Sequence, residues 1–174
     1  MKHALMMVAV SLGAVACASA PAEKPATNAM AQLQSTRGNM ASGTVNFRQT
    51  GAMVQVRGEI RGLKPNSEHG FHVHEKGDCS SGDGNSAGGH FNPDGQPHGN
   101  PATMAHHVGD FPSLKSDAAG VARFSFQTAS LSVGSGTADV TGRGLIVHAD
   151  PDDYATQPTG NAGARLACAV IVKS

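Results

Sequence analysis

A period of two constrains this chain more than any other feature. Residues 43–48 (GTVNFR) and 52–60 (AMVQVRGEI) alternate apolar and polar side chains, and Gln49-Thr50-Gly51 between them is turn-like, which predicts a hairpin. Residues 70–75 (GFHVHE) alternate again, setting Phe71 and Val73 on one face and His72 and His74 on the other. Residues 120–127, 144–149 and 166–172 supply three more strands, while Leu63-Lys64-Pro65-Asn66 breaks the pattern. No stretch carries the period of an amphipathic helix of useful length. Glycine is 22 of 174 residues and tryptophan is absent, which suits short strands joined by turns and long loops. The expected fold is therefore an all-β antiparallel sandwich or barrel.

Two segments resist that pattern. Residues 76–106 have almost no apolar periodicity and are full of Gly, Asp, Asn, Pro and Ser; residues 150–164 form a second long loop. A compact domain rarely keeps such loops unless they serve a function. Lys plus Arg equals Asp plus Glu at 13 each, so overall charge gives no support to a nucleic-acid partner.

The N-terminus reads as a targeting segment, residues 1–20. Lys2 and His3 precede an apolar run, 4–16, that is too short to span a bilayer, which takes about 20 residues. Residues 21–40 follow as a flexible linker, rich in Ala, Pro and small polar residues through Gln34, and 41–174 form the folded domain. Export implies an oxidising compartment. Of the three cysteines, Cys17 ends the apolar run, so Cys79 and Cys168 are the natural disulfide partners. Cys17 has two readings: the lipidated first residue of a lipoprotein, or a residue discarded by cleavage near Ala18 or Ala20. Ala14 stands where a lipobox usually has Leu, and Pro21 makes cleavage after Ala20 awkward.

Histidines gather at strand ends and in the first long loop. His72 and His74 lie side by side on one strand face; alone, the plainer reading is two exposed histidines. His90 in GGHFNP, His98 in PHG, His107 with Asp110 in HHVGD, and His148 at a strand end bring the set to six imidazoles and a carboxylate. Imidazole with carboxylate suits zinc and copper(II), and no cysteine pair at ligand spacing points to thiolate sites.

The strings GFHVHEKGDC, GGHFNP, HHVGD, GLIVHADPDD and TGNAGARLACAVIV, in this order, resemble the copper–zinc superoxide dismutase family over nearly everything from residue 41 to 173. Asp153-Tyr154 and the leader resemble its bacterial exported branch. The resemblance implies an eight-stranded Greek-key β-barrel with two long functional loops, and one copper and one zinc per subunit. It implies that His72, His74, His90 and His148 hold copper and that His90, His98, His107 and Asp110 hold zinc, with His90 bridging. His106 is an alternative zinc ligand on composition, but the family's His-x-x-Asp spacing selects His107. His3, His69 and His106 match no ligand. Asp152 matches a carboxylate that hydrogen-bonds one histidine on each side. Arg165 matches a guanidinium beside the copper that guides the anion, and Thr159 a small residue across the channel. Lys76 is a candidate steering charge, with a solvated lysine as its alternative.

The implied reaction is dismutation of superoxide to oxygen and hydrogen peroxide in the periplasm, with membrane attachment only through a lipid on Cys17. A copper- and zinc-storage module on the same fold is the rival, but storage needs no Arg165 or Thr159. The family includes monomers and homodimers, and both stay open.

Overall fold

The computed structural model describes residues 26–103 and 105–174. The expected leader 1–20, with Cys17, and residues 21–25 lie outside the described residues.

The strands are β1 (Thr27–Ser35), β2 (Ser42–Thr50), β3 (Met53–Arg61), β4 (Glu68–His69), β5 (Phe71–His74), β6 (Leu114–Lys115), β7 (Ala122–Thr128), β8 (Gly144–His148), β9 (Arg165–Val170) and β10 (Val172–Lys173). All pairings among them are antiparallel. Eight belong to one curled sheet, ordered β5-β8-β9-β1-β2-β3-β7, with β10 also on β1; β4 and β6 form a separate pair. β4 runs into β5 at Gly70 and β6 lies against β7, so the small pair sits where the two free edges of the sheet approach each other. β7 beside β3 and β8 beside β5 are Greek-key crossovers. Every strand expected from alternation is present. The hairpin turn is tighter than expected: Thr50 pairs with Met53, leaving Gly51-Ala52 as a two-residue turn.

The expected linker 21–40 needs correction. Thr27–Ser35 is an interior strand, paired with β2 along Thr27↔Gln49 to Leu33↔Gly43 and with β9 and β10 on its other side. Ala29, Ala31 and Leu33 point into the core at 1% exposure or less, while Asn28, Gln32 and Gln34 do not. The alternation is real, but its inward positions are mostly alanine, so the segment has the composition of a tether.

The barrel core is filled by Leu33, Val45, Phe47, Val56, Ile60, Phe71, Leu145 and Ile171 among others. Phe71 packs against Phe111 and Phe124 with ring centres 5.4 and 5.2 Å apart. Leu131, Val133 and Val140, from the β7–β8 connection, join the same core. Cys79 and Cys168 form a disulfide across 89 residues, tying the first long loop to β9. Among its described residues that loop contains one 3₁₀ turn, Asn85–Ala87, an isolated bridge at His90, and otherwise bends, turns and irregular backbone.

Candidate metal centre

β5 builds one wall of the site. Its alternation sends Phe71 and Val73 into the core and His72 and His74 to the opposite face, yet all four are buried. The long loops account for this by folding over that face. Phe91 donates its N–H to Val73 O, Gly109 donates to Phe91 O, and Val73 donates to Gly109 O, at 2.8–2.9 Å each. These bonds lay the segments carrying His90 and Asp110 alongside β5. β8 pairs with β5 from Phe71↔Val147 to His74↔Gly144 and delivers His148 beside them. Ala149 and Asp150 donate to the carbonyls of Ala164 and Ala162, which closes the second loop back on itself.

Two buried groups result: His72, His74, His90 and His148; and His90, His98, His107 and Asp110. In each, one ligand atom per residue lies within 4.8 Å of all the others, and His90 belongs to both. His74 Nε2 and His148 Nε2 are 3.4 Å apart. Asp110 Oδ1 is 2.8 Å from His90 Nδ1, 3.1 Å from His98 Nδ1 and 3.4 Å from His107 Nδ1.

Two unsatisfied atoms inside these groups fit bound cations. His72 Nδ1 and His90 Nε2 are buried with no hydrogen-bond partner, a costly state unless something binds there, and His98 Nδ1 faces Asp110 Oδ1 at 3.1 Å. The opposite ring nitrogens are engaged. His74 Nδ1 donates to Gly88 O at 2.9 Å and His148 Nδ1 to Gly163 O at 3.2 Å. His72 Nε2 and His98 Nε2 donate to Asp152 Oδ2 and Oδ1 at 2.7 and 2.9 Å. Each of these bonds fixes a tautomer that leaves the inward nitrogen a lone pair. Four nitrogens suit copper(II), and three nitrogens with one carboxylate suit zinc.

Without metal, the two groups differ electrostatically. Burial, then neighbouring imidazoles, pushes His74 and His148 well below the ordinary histidine range. Burial also dominates at His90, lowering it to about 4 against the pull of Asp110. His98 goes the other way: burial opposes its charge, but hydrogen bonds to Asp110 and Asp152 outweigh that and raise it to about 9. Burial would raise both carboxylates, but their histidine partners hold them well below the usual carboxylate range. The metal-free site thus keeps a proton on His98, between two carboxylates, and metal entering there must displace it.

A groove of about 430 Å³ leads to His74 and His148, and Arg165 and Thr159 line it. Arg165 Nη1 donates to Gly84 O and Nη2 to Gly88 O, both at 2.7 Å, so the guanidinium is pinned to the first loop. Gly88 O also accepts from His74, which links Arg165 to that ring through one atom.

Several contributors escaped the sequence. His69 is fully buried and its Nδ1 donates to His148 O at 2.9 Å, holding the backbone of a candidate ligand. Its register with Phe71 and Val73 is the signal that marks it as facing inward. Gln157 clamps His98 through both backbone groups, at 2.9 and 2.8 Å. Gly160, at φ +66°, lets the second loop pass so close that a Cβ there would overlap Asp152 Oδ1 and His98 Nε2. Tyr154 Oη accepts from Ser113 N at 2.7 Å and anchors that loop to the barrel. His106 lies outside both groups, with Nδ1 2.6 Å from His107 O. Lys76 does not line the groove and sits near Asp78.

Residues 41–171 match the family described as copper/zinc superoxide dismutase. A superoxide dismutase [Cu-Zn] from Paramecium bursaria Chlorella virus 1 is 44% identical over 74% of this chain and 71% of its own. An extracellular superoxide dismutase [Cu-Zn] from Brugia pahangi is 40% identical over 84% and 76%, and superoxide dismutase [Cu-Zn] 2 of Aquifex aeolicus is 37% identical over 82% and 85%. Among solved structures, the clock protein EA4 superposes with a TM-score of 0.76 at 39% identity, covering 83% of this chain and 93% of that one. With a curled antiparallel sheet carrying two imidazole-rich groups joined at one histidine, the chain belongs to the copper/zinc superoxide dismutase family.

Proposed function

We propose that this enzyme removes superoxide in an exported compartment, using copper held by His72, His74, His90 and His148 and zinc held by His90, His98, His107 and Asp110. The observation that carries this assignment is the shared ring of His90. Its two nitrogens face different groups, and only the nitrogen toward the groove-side group lacks a protein partner. When bound, copper supplies the one-electron couple that converts two superoxides into oxygen and peroxide.

The chain's own residues do the rest. Arg165 presents a fixed positive charge in the groove beside His74 and His148 and holds the small anion there. Thr159 narrows the same groove. His90 Nε2 has no partner within the protein, so its lone pair is free to hold copper or, when copper is not bound to it, a proton. Asp152 locks the tautomers of His72 and His98 together. The seven residues of the two groups and Asp152 are all buried, which limits the water around them.

Export is supported by the leader-like N-terminus, by the Cys79–Cys168 disulfide, and by relatives that carry the word extracellular in their names. Attachment through a lipid on Cys17 is the membrane-bound form of this reading. Cys17→Ser then moves activity from the membrane to the soluble exported fraction; a wild type already soluble there removes the lipid. The central test is the purified protein loaded with both metals: it should bind one copper and one zinc per chain and remove superoxide. Full zinc with no copper uptake would overturn the copper assignment.

A further inference from the structure

The turn after β1 carries the other cation of the groove. Arg37 lines it together with Arg165, His74 and His148, although Arg37 and Arg165 are 128 residues apart in sequence. The turn is fastened where this matters. Thr36 Oγ1 donates to Arg165 O at 2.6 Å, Thr36 N donates to Leu166 O at 3.0 Å, and Arg37 N donates to Gly82 O at 2.7 Å. Gly82, at φ +75°, leaves the space in which the guanidinium lies against the loop backbone; a Cβ there would sit 2.9 Å from Arg37 Nη2.

Arg37 is also free to act. Among the described residues, Arg61 and Arg123 pair with Glu59, Lys115 pairs with Glu68, and Arg165 spends its donors on two carbonyls, whereas Arg37 makes no ion pair and its side chain donates to nothing. The groove lining holds three formally charged groups: Arg37, Arg165 and Asp83. Asp83 is held in place by accepting from Asn85 N and Asn85 Nδ2, at 2.9 Å each. One net positive charge remains with Arg37 present, and none without it.

We propose that Arg37 is the anion-capturing residue at the mouth of this groove, drawing superoxide toward Arg165. The inference rests on superoxide being the substrate. It assigns to Arg37 the steering role that the sequence alone placed on Lys76. Among the described residues, the Arg37 side chain makes no hydrogen bond or ion pair with a candidate ligand; it acts by its charge, which sets the rate of encounter in a cleft with low-dielectric walls.

The test is pulse-radiolytic decay of superoxide on copper- and zinc-loaded protein, across ionic strength, with metal content measured for each variant. Arg37→Gln should slow removal about threefold at low salt, a fraction of the roughly 10- to 1000-fold that charge-lined clefts add to on-rates. Arg37→Lys should restore most of it, Arg37→Glu should slow it further, and Asp83→Asn should speed it. The variants should converge as salt rises. Lys76→Gln should change the rate less than Arg37→Gln. Equal rates and salt slopes for wild type and Arg37→Gln overturn the inference. So does a salt-independent loss that Lys does not rescue, because Arg37 would then be only packing on Gly82. A wild type that holds both metals and leaves superoxide untouched overturns the substrate reading instead.

Discussion

Replacing Asp152 separates the two metals in a way that depends on which oxygen faces which ring. Oδ2 accepts from His72 Nε2 at 2.7 Å, while Oδ1 accepts from both His98 Nε2 at 2.9 Å and Tyr154 N at 2.7 Å. In Asp152→Ala both rings lose their partner. Losing such a support typically costs about 10–100-fold in metal affinity, close to the roughly 1.5–3 kcal/mol of one hydrogen bond to a charged group. Zinc should suffer more, because His72 is held by ladder pairing to Ile146, whereas His98 sits in a loop. Asp152→Asn should invert the order. Two donors converge on Oδ1, so the amide oxygen must take that place, and the amide nitrogen then faces His72 Nε2–H. To avoid donor against donor, His72 must move its proton to Nδ1, the atom that the copper-side group needs. Copper affinity should therefore fall about 10–100-fold while zinc stays near wild type. Competition with a graded chelator, counting both metals by elemental analysis, reads both variants. Retention of both metals by both variants, or zinc lost first in Asp152→Asn, would refute the two-oxygen division of labour.

Gly160→Ala should mimic Asp152→Ala in losing zinc, because its Cβ would displace Asp152 and His98 at a positive φ; normal zinc retention would show that the loop has slack. Arg165→Lys should keep both metals and lose rate, since one ammonium cannot span Gly84 O and Gly88 O; an unchanged rate at low salt removes Arg165 from anion binding. Replacing Cys79 and Cys168 together by Ser should lower unfolding stability by roughly 4–5 kcal/mol on the loop-entropy model, measured by denaturant titration at fixed metal content. The metal-free protein should lose stability on both sides of neutrality: as pH falls through the ordinary histidine range, because the unfolded chain takes up protons that His74, His90 and His148 refuse, and as pH rises toward about 9, because folded His98 holds a proton the unfolded chain has already released. A flat curve in chemical unfolding across pH would contradict that assignment of protons.

The fold was legible wherever alternation used large side chains. Val45 and Phe47, Val54 and Val56, Phe124 and Phe126 announce their strands by spacing alone. β1 has the same spacing with Ala29 and Ala31 at the inward positions, and alanine beside asparagine and glutamine reads equally well as a tether. β4 and β6 have two residues each, too few to show any period. The strand near the C-terminus reads as one run but divides at Ile171, whose N–H and C=O bond to Arg143 O and Gly142 N rather than to a ladder.

The site divides along the same physical line. Ligands on strands follow from local pattern, because a period of two tells which face His72 and His74 share. Candidate ligands on loops carry no such period, and only the family resemblance gave His90, His98 and His107 their roles. Lys76 lies close to the ligand-bearing strand in sequence, in HEKGDC, but nearness in sequence does not place its charge: the strand ends at His74, and Lys76 N turns away to bond Ala87 O, leaving the side chain near Asp78. Arg37 is the converse case. It lies beyond any ligand motif, on a turn that local reading assigned to a linker. Its place in the groove is set by Thr36 reaching the carbonyls of Arg165 and Leu166, 129 and 130 residues away. Such a contact exists only after β1 has entered the sheet beside β9, so recognising β1 as a strand is the step on which recognising Arg37 depends.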